Sequence, residues 1–187
     1  MSSLQYIAFF KPYGILCQFT SDNPLETLAN FNLPKGVYPS GRLDKDSEGL
    51  LILTNDGPFI DQLLSPKYDK EKVYWVQVEN IPSEESLNVL RKGGILIQDY
   101  KTKPAKVKIL DPQPNMSERD PPVRFRKSIP TCWLEIIISE GKNRQVRRMT
   151  ASINHPTLRL IRMQVGKYKL AELTPGSWVE IKKSDIL

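Results

Sequence analysis

Gly41-Arg42-Leu43-Asp44-Lys45-Asp46-Ser47-Glu48-Gly49 runs straight into Leu50-Leu51-Ile52-Leu53-Thr54, and Asn55-Asp56-Gly57 closes the run. Four aliphatic residues between turn signals are too few for an ordinary helix and predict a short, central, buried strand. The nine residues before it carry three carboxylates, two cations and two glycines. A charged loop held at the edge of a rigid strand is a common seat of catalysis. On pattern alone it reads more readily as a solvated turn whose charges pair with one another. It is no phosphate loop, because the Gly-Lys-Ser/Thr element that cradles a triphosphate is missing.

Outward from this strand the pattern is mixed. Gln5 to Phe10 predicts a buried strand, Leu25 to Phe31 a short helix entered through Pro24, and Pro58 to Leu64 a helix. Lys72 to Glu79 alternates as a strand. Ser83 caps a helix that Glu84 and Glu85 open and Gly93-Gly94 stop. Ile95 to Gln98 and Ala105 to Leu110 predict a strand pair around a turn. Thr131 to Ser139 is the strongest strand, Asn143 to Asn154 a two-faced helix, and Leu158 to Val165 and Trp178 to Lys182 late strands. The expected class is α+β: a mainly antiparallel sheet with a few flanking helices. Residues 1–187 are expected to form one domain, with 111–130 as a basic, proline-rich loop too long for a plain connection.

Composition narrows the chemistry. Forty percent hydrophobic and 26% charged residues suit a globular chain. No apolar run approaches membrane-spanning length and the start lacks a secretion signal, so the expected compartment is the cytoplasm. Cys17 and Cys132 lie far apart and His155 is the one histidine. That set offers neither a zinc site nor a Ser-His-Asp triad, and the thiols are expected to be reduced. His155, before Pro156, reads as a turn residue.

Net charge is +6 and the pI about 9.3, but distribution matters more. One cluster runs from Arg119 to Lys127 and includes Arg124, Phe125 and Arg126; a second runs from Lys142 to Arg148. The second brings a glycine turn to a helix N-terminus with arginines behind it, a setting that favours anions. On that helix Val146, Met149 and Ile153 fall on one side, and Arg144, Arg147 and Arg148 on the other.

Taken together, the motifs resemble a known family. Gly41-Arg42-Leu43-Asp44-x-Asp46-Ser47-x-Gly49-Leu50-Leu51 is similar to the catalytic signature of the RsuA-like pseudouridine synthases. Lys11-Pro12-x-Gly14 precedes it, Lys72-x-Tyr74 follows, and Gly141-x-x-Arg144-Gln145-Val146-Arg147-Arg148-Met149 and the Leu158–Gly166 segment complete the family's order. Arg119-x-Pro121-Pro122 with Arg126-Lys127-Ser128-Ile129-Pro130-Thr131 most resembles the branch that acts on large-subunit ribosomal RNA. Ser47 stands where many members have threonine, which preserves the hydroxyl. The first motif begins almost at Met1, so no separate RNA-binding domain is expected ahead of the catalytic one.

The resemblance implies a cofactor-free and metal-free isomerase that turns one uridine in ribosomal RNA into pseudouridine. It implies Asp44 as the essential carboxylate, either nucleophile or base. Arg42 would hold the extruded nucleotide, Tyr74 stack on its uracil, Val146 pack beneath the ring, and Arg147 pair with Asp44 and keep it ionised. Lys72, Arg124, Arg126, Lys127, Lys142, Arg144 and Arg148 are the expected RNA contacts. The expected partner is ribosomal RNA of the large subunit, naked or in an assembling particle, met by a monomer, with small-subunit rRNA or a tRNA as the alternative targets. A binding module without catalysis would explain the basic patches, but gives no reason to keep Arg42, Asp44, Tyr74 and Arg147 together. A magnesium-dependent small-molecule enzyme would use the carboxylates and leave the arginine helix idle.

Overall fold

The computed structural model describes residues 3–124 and 126–187. In chain order the strands are β1 (Tyr6–Lys11), β2 (Tyr38–Pro39), β3 (Glu48–Thr54), β4 (Lys72–Glu79), β5 (Leu96–Ile97), β6 (Tyr100–Lys101), β7 (Lys106–Ile109), β8 (Thr131–Ile138), β9 (Thr157–Val165), β10 (Tyr168–Lys169) and β11 (Trp178–Glu180). The helices are α1 (Gly57–Leu64), α2 (Glu84–Lys92) and α3 (Gln145–Ser152). The chain divides into two compact units: residues 3–72 with 161–187, and residues 73–160. The class is α+β with a mainly antiparallel sheet, as the sequence implied.

In the first unit the strand order is β11-β1-β3-β9, with β2 on β3 and β10 on β9. β1 and β3 pair antiparallel over their length, from Tyr6 opposite Thr54 to Lys11 opposite Gly49, and every residue of both is buried. The parallel contact is at the start of β3, where Glu48 and Gly49 face Ile161 and Arg162. Gly49 must be glycine: its φ is +103°, and a Cβ there would lie 2.4 Å from the Arg162 carbonyl oxygen and 2.6 Å from its nitrogen. Burying Phe9, Leu50, Leu51, Ile52 and Leu53 contributes about 1.5–3 kcal/mol each before entropy is counted.

Asp56 ties α1 to this sheet. Its carboxylate accepts the Phe59 N–H as an N-cap (3.1 Å), the Tyr6 hydroxyl (2.6 Å) and the Lys183 ammonium (3.1 Å). Those partners hold its carboxyl below the ordinary range, the Tyr6 hydroxyl foremost, while burial and Asp56 together push the Tyr6 phenol up to about 12.

The second unit carries the order β4-β8-β7, the β5–β6 hairpin, α2 and α3. Ser83 caps α2, accepting the Ser86 N–H, and Gly93 ends it at φ +69°. Trp75 and Gln77 reach across to Glu135 and Thr131 of β8, which fixes which face each β4 residue takes. Segment 111–130 is anchored at both ends, by Gln113 to the Trp133 backbone and by the Pro130 carbonyl to the Asn80 N–H.

Three local expectations need correction. Leu25–Phe31 is two short 3-10 turns, Pro24–Glu26 and Leu28–Phe31, because Thr27 between them is extended and caps the second turn. Ile95–Gln98 does not pair with Ala105–Leu110: β5 turns at Gln98 (φ +57°) onto β6, and β7 joins β8. Helix α3 starts at Gln145 rather than Asn143, because Arg144 is left-handed at φ +50°. No helix among the described residues is long and apolar enough to cross a membrane.

Candidate active site

The charged loop is shaped by its backbone. Ser47 N–H donates to the Asp44 carbonyl (3.0 Å), closing a turn over Lys45 and Asp46. The Lys45 carbonyl accepts the Gly14 N–H (2.8 Å) and the Lys11 ammonium (3.4 Å), and the Leu43 N–H points at the Cys17 sulfur (3.3 Å). Leu43 is buried, Arg42 and Lys45 are exposed, and Asp44 is half-buried. The Lys45 ammonium turns away to pair with Glu26.

Lys11 anchors this arrangement. It is fully buried, and its ammonium also donates to the carbonyls of Pro12 (2.8 Å) and Ile15 (2.7 Å). Burial pushes it down to about 8, against the pull of Cys17, Glu48, Asp46 and Asp44. The Lys11-Pro12-x-Gly14 segment therefore serves the loop twice, through an ammonium and a backbone N–H. The loop presents Asp44 beside a positive charge and within reach of solvent.

Lys72 belongs to the same unit but is buried rather than displayed, its ammonium donating to the Lys70 carbonyl at 3.2 Å. It stands apart from the other expected RNA contacts in this respect.

The other expected site residues belong to the second unit. Tyr74 is 7% exposed and shares its face of β4 with the buried Val76 and Val78. On α3, Val146, Met149 and Ile153 are buried on one side, as the spacing predicted, together with Gln145 and Thr150. Arg147 and Arg148 are half-buried and Arg144 is exposed. Arg148 donates its N–H to the Arg144 carbonyl (3.0 Å) and its guanidinium to Asn143 (3.1 Å).

A buried acid sets the start of α3. Glu140, 6% exposed, accepts the Tyr100 hydroxyl, the Lys103 N–H (3.1 Å to each oxygen) and the Gln145 side-chain amide. Gln145 in turn accepts the Lys142 N–H (3.1 Å), and the Lys142 ammonium sits 4.2 Å from the centre of the Tyr100 ring. Hairpin β5–β6 is thereby wired to the segment that presents the arginines. Arg124 and Lys127 are exposed, Arg126 is paired with Glu79 (3.1 Å), and Phe125 lies outside the described residues.

Sequence reasoning missed Glu140, Gln145 and the caging of Lys11; the signal available for the first two was their place inside an otherwise basic motif. His155 is a loop residue on the Glu79 carbonyl (2.9 Å), and both cysteines are free and buried. Among the described residues no three His, Cys, Asp or Glu side chains gather as a metal site.

The loop and helix motifs occur inside a wider match: the family model for RNA pseudouridylate synthase covers residues 5–152. The chain belongs to that family. It is 54% identical over 170 residues to the Ribosomal large subunit pseudouridine synthase E of Xanthomonas campestris pv. campestris, covering 90% of each chain. The protein of the same name in Vibrio parahaemolyticus is 52% identical, over 97% of this chain and 76% of its own. A crystal structure of a pseudouridylate synthase matches 100% of this chain and 74% of its own at 29% identity, with a TM-score of 0.80. As a family member the chain is an isomerase, an RNA pseudouridine synthase with that fold.

Proposed function

We propose that this pseudouridine synthase acts on one uridine of large-subunit ribosomal RNA and uses Asp44 as its catalytic carboxylate. The observation that carries the substrate is the identity above 50%, over most of the chain, to relatives whose names specify the large ribosomal subunit. The observation that supports Asp44 is its loop, closed by its own backbone and braced by the Lys11 ammonium.

The reaction breaks the bond from ribose C1′ to uracil N1, turns the base, and rejoins C1′ to C5, from which a proton leaves. No electron pair leaves the substrate and no group donor is consumed, so an ionised carboxylate and a grip on the base suffice. Asp44 serves either as nucleophile at C1′ or as base toward a ribose proton. The target must first leave the stack, at a cost of a few kcal/mol. Arg42, Tyr74, Val146 and Arg147 are the residues we assign to holding the extruded nucleotide, with Tyr74 stacking on uracil. Arg124, Lys127, Lys142, Arg144 and Arg148 are assigned to the RNA backbone, with Arg126 in exchange for its Glu79 pairing and Lys72 from a buried position. The chain acts as a cytoplasmic monomer.

The test is tritium release from large-subunit and small-subunit rRNA labelled at uridine C5, followed by mapping of the modified position. Release confined to large-subunit rRNA, at one position, is expected. Release from small-subunit rRNA alone would overturn the substrate assignment.

A further inference from the structure

Two cations of the first unit are buried: Lys72, assigned above to the RNA backbone, and Arg162, which has no role yet. Arg162 on β9 is 4% exposed and Lys72 is 6% exposed. Arg162 lies opposite Gly49 in the β3–β9 register, against the last residue of the charged loop. Its Nε donates to the Leu50 carbonyl at 2.7 Å, while its Nη2 is buried with no hydrogen-bond partner. Lys72 holds the Lys70 carbonyl. Burial pushes its ammonium down to about 8, and the Arg162 guanidinium, of the same sign, pushes further in that direction.

Removing two like charges from water side by side is costly, and folded proteins normally meet such charges with an opposite one. Here the Arg162 guanidinium keeps a buried Nη2 without a hydrogen-bond partner, and the charge that bears on the buried Lys72 ammonium is one of its own sign. A guanidinium edge beside an ammonium is a pairing suited to a tetrahedral oxyanion, the fork giving direction and the lysine a point charge. We infer that Lys72 and Arg162 form a buried anion site that takes a backbone phosphate of the substrate RNA.

This rests on the reading of the chain as an enzyme acting on RNA, and it deepens that reading. An RNA enzyme that extrudes a nucleotide must hold the phosphates on either side of it, and phosphate contacts set register without reading sequence. Arg162 abuts Gly49, and Gly49 ends the loop that carries Asp44, so an anion held there is fixed relative to that loop by the β3–β9 backbone. The alternative source of the same chemistry is a free small anion such as inorganic phosphate.

The experiment compares wild type with Lys72→Met and Lys72→Arg. Affinity for a labelled large-subunit rRNA fragment is measured across salt concentrations, alongside the urea midpoint and tritium release. Lys72→Met should leave the urea midpoint unchanged or raise it, because a buried charge is gone. It should nevertheless weaken RNA binding about tenfold and flatten the log–log salt slope by about 0.7–0.9. Lys72→Arg should recover most of the binding. Arg162→Met should weaken binding similarly; since it also removes the bond to Leu50, Lys72→Met is the deciding variant. Wild-type affinity and salt slope in Lys72→Met would overturn the site. So would millimolar inorganic phosphate stabilising wild type but not Lys72→Met while both bind RNA equally, which would mark a small-anion site. Wild type that neither binds nor turns over rRNA would instead sink the underlying functional reading. Wild-type turnover with an unaffected Lys72→Met would sink the phosphate site alone.

Discussion

Replacing Gly49 by alanine should damage both stability and turnover, through a contact that can be worked out atom by atom. The added Cβ would sit 2.4 Å from the Arg162 carbonyl oxygen, 2.6 Å from its nitrogen and 3.0 Å from its carbonyl carbon. Ordinary C···O contacts are about 3.3–3.6 Å, so β3 and β9 would have to separate by about 1 Å. The obstacle is backbone on both sides and cannot rotate away. Overpacking of this kind costs about 1–3 kcal/mol. A non-glycine residue held at φ +103° adds about 1–3 kcal/mol. The total, about 2–6 kcal/mol, is a large share of the roughly 5–15 kcal/mol that holds a typical domain together. Because Gly49 ends the loop that carries Asp44, a shift of about 1 Å should also lower turnover by about a hundredfold where the variant is still folded. Urea unfolding monitored by tryptophan fluorescence gives the first quantity and tritium release at low temperature the second. A Gly49→Ala protein with the wild-type urea midpoint and wild-type turnover would refute the reasoning.

Other predictions follow from the same contacts. Asp56→Ala removes an N-cap of about 1 kcal/mol and strands the buried Tyr6 hydroxyl at about 1–3 kcal/mol, so the urea midpoint should fall accordingly. Because the Asp56 carboxyl is held below its ordinary value, its contribution is present above about pH 4 and is lost as pH falls through the folded value. The deficit of the variant should therefore shrink in acid; a constant deficit would contradict this. Lys11 and Lys72 both lie near 8 when folded, against 10.5 unfolded, so the unfolded chain binds more protons between those values. Stability should rise from pH 8 to pH 9.5 by about 1–2 kcal/mol per lysine, and the rise should be smaller in Lys72→Met; unfolding curves at the two pH values check it. Glu140→Gln sets amide against amide at Gln145 and should lower turnover more than RNA affinity, whereas the double change Glu140→Gln with Gln145→Glu should restore it. Failure of the exchanged pair to recover any turnover would count against that role.

Much of this molecule was legible because its strongest signals are local. The aliphatic run 50–53 is a buried strand, and the three-and-four spacing of Val146, Met149 and Ile153 marks the inward side of α3. Boundaries failed where one residue takes a conformation that propensity does not encode, as with extended Thr27 and left-handed Arg144. The pairing of Ile95–Gln98 was misread because closeness in sequence suggested Ala105–Leu110 as its partner, while the turn at Gln98 and the pull of β8 on β7 decided otherwise. The charged loop that carries Asp44 was legible as a motif at the edge of a buried strand. Lys11, Glu140, Lys72 and Arg162 were not legible as buried charges, because burial of a charged side chain is decided by distant elements and leaves no local trace.

The most direct test of the central claim is tritium release from C5-labelled large-subunit rRNA by Asp44→Asn beside wild type, with RNA affinity measured on the same preparations. Wild type should release tritium, the variant should release none, and the two affinities should lie within a few-fold of each other. Turnover by Asp44→Asn would contradict the assignment of the catalytic carboxylate.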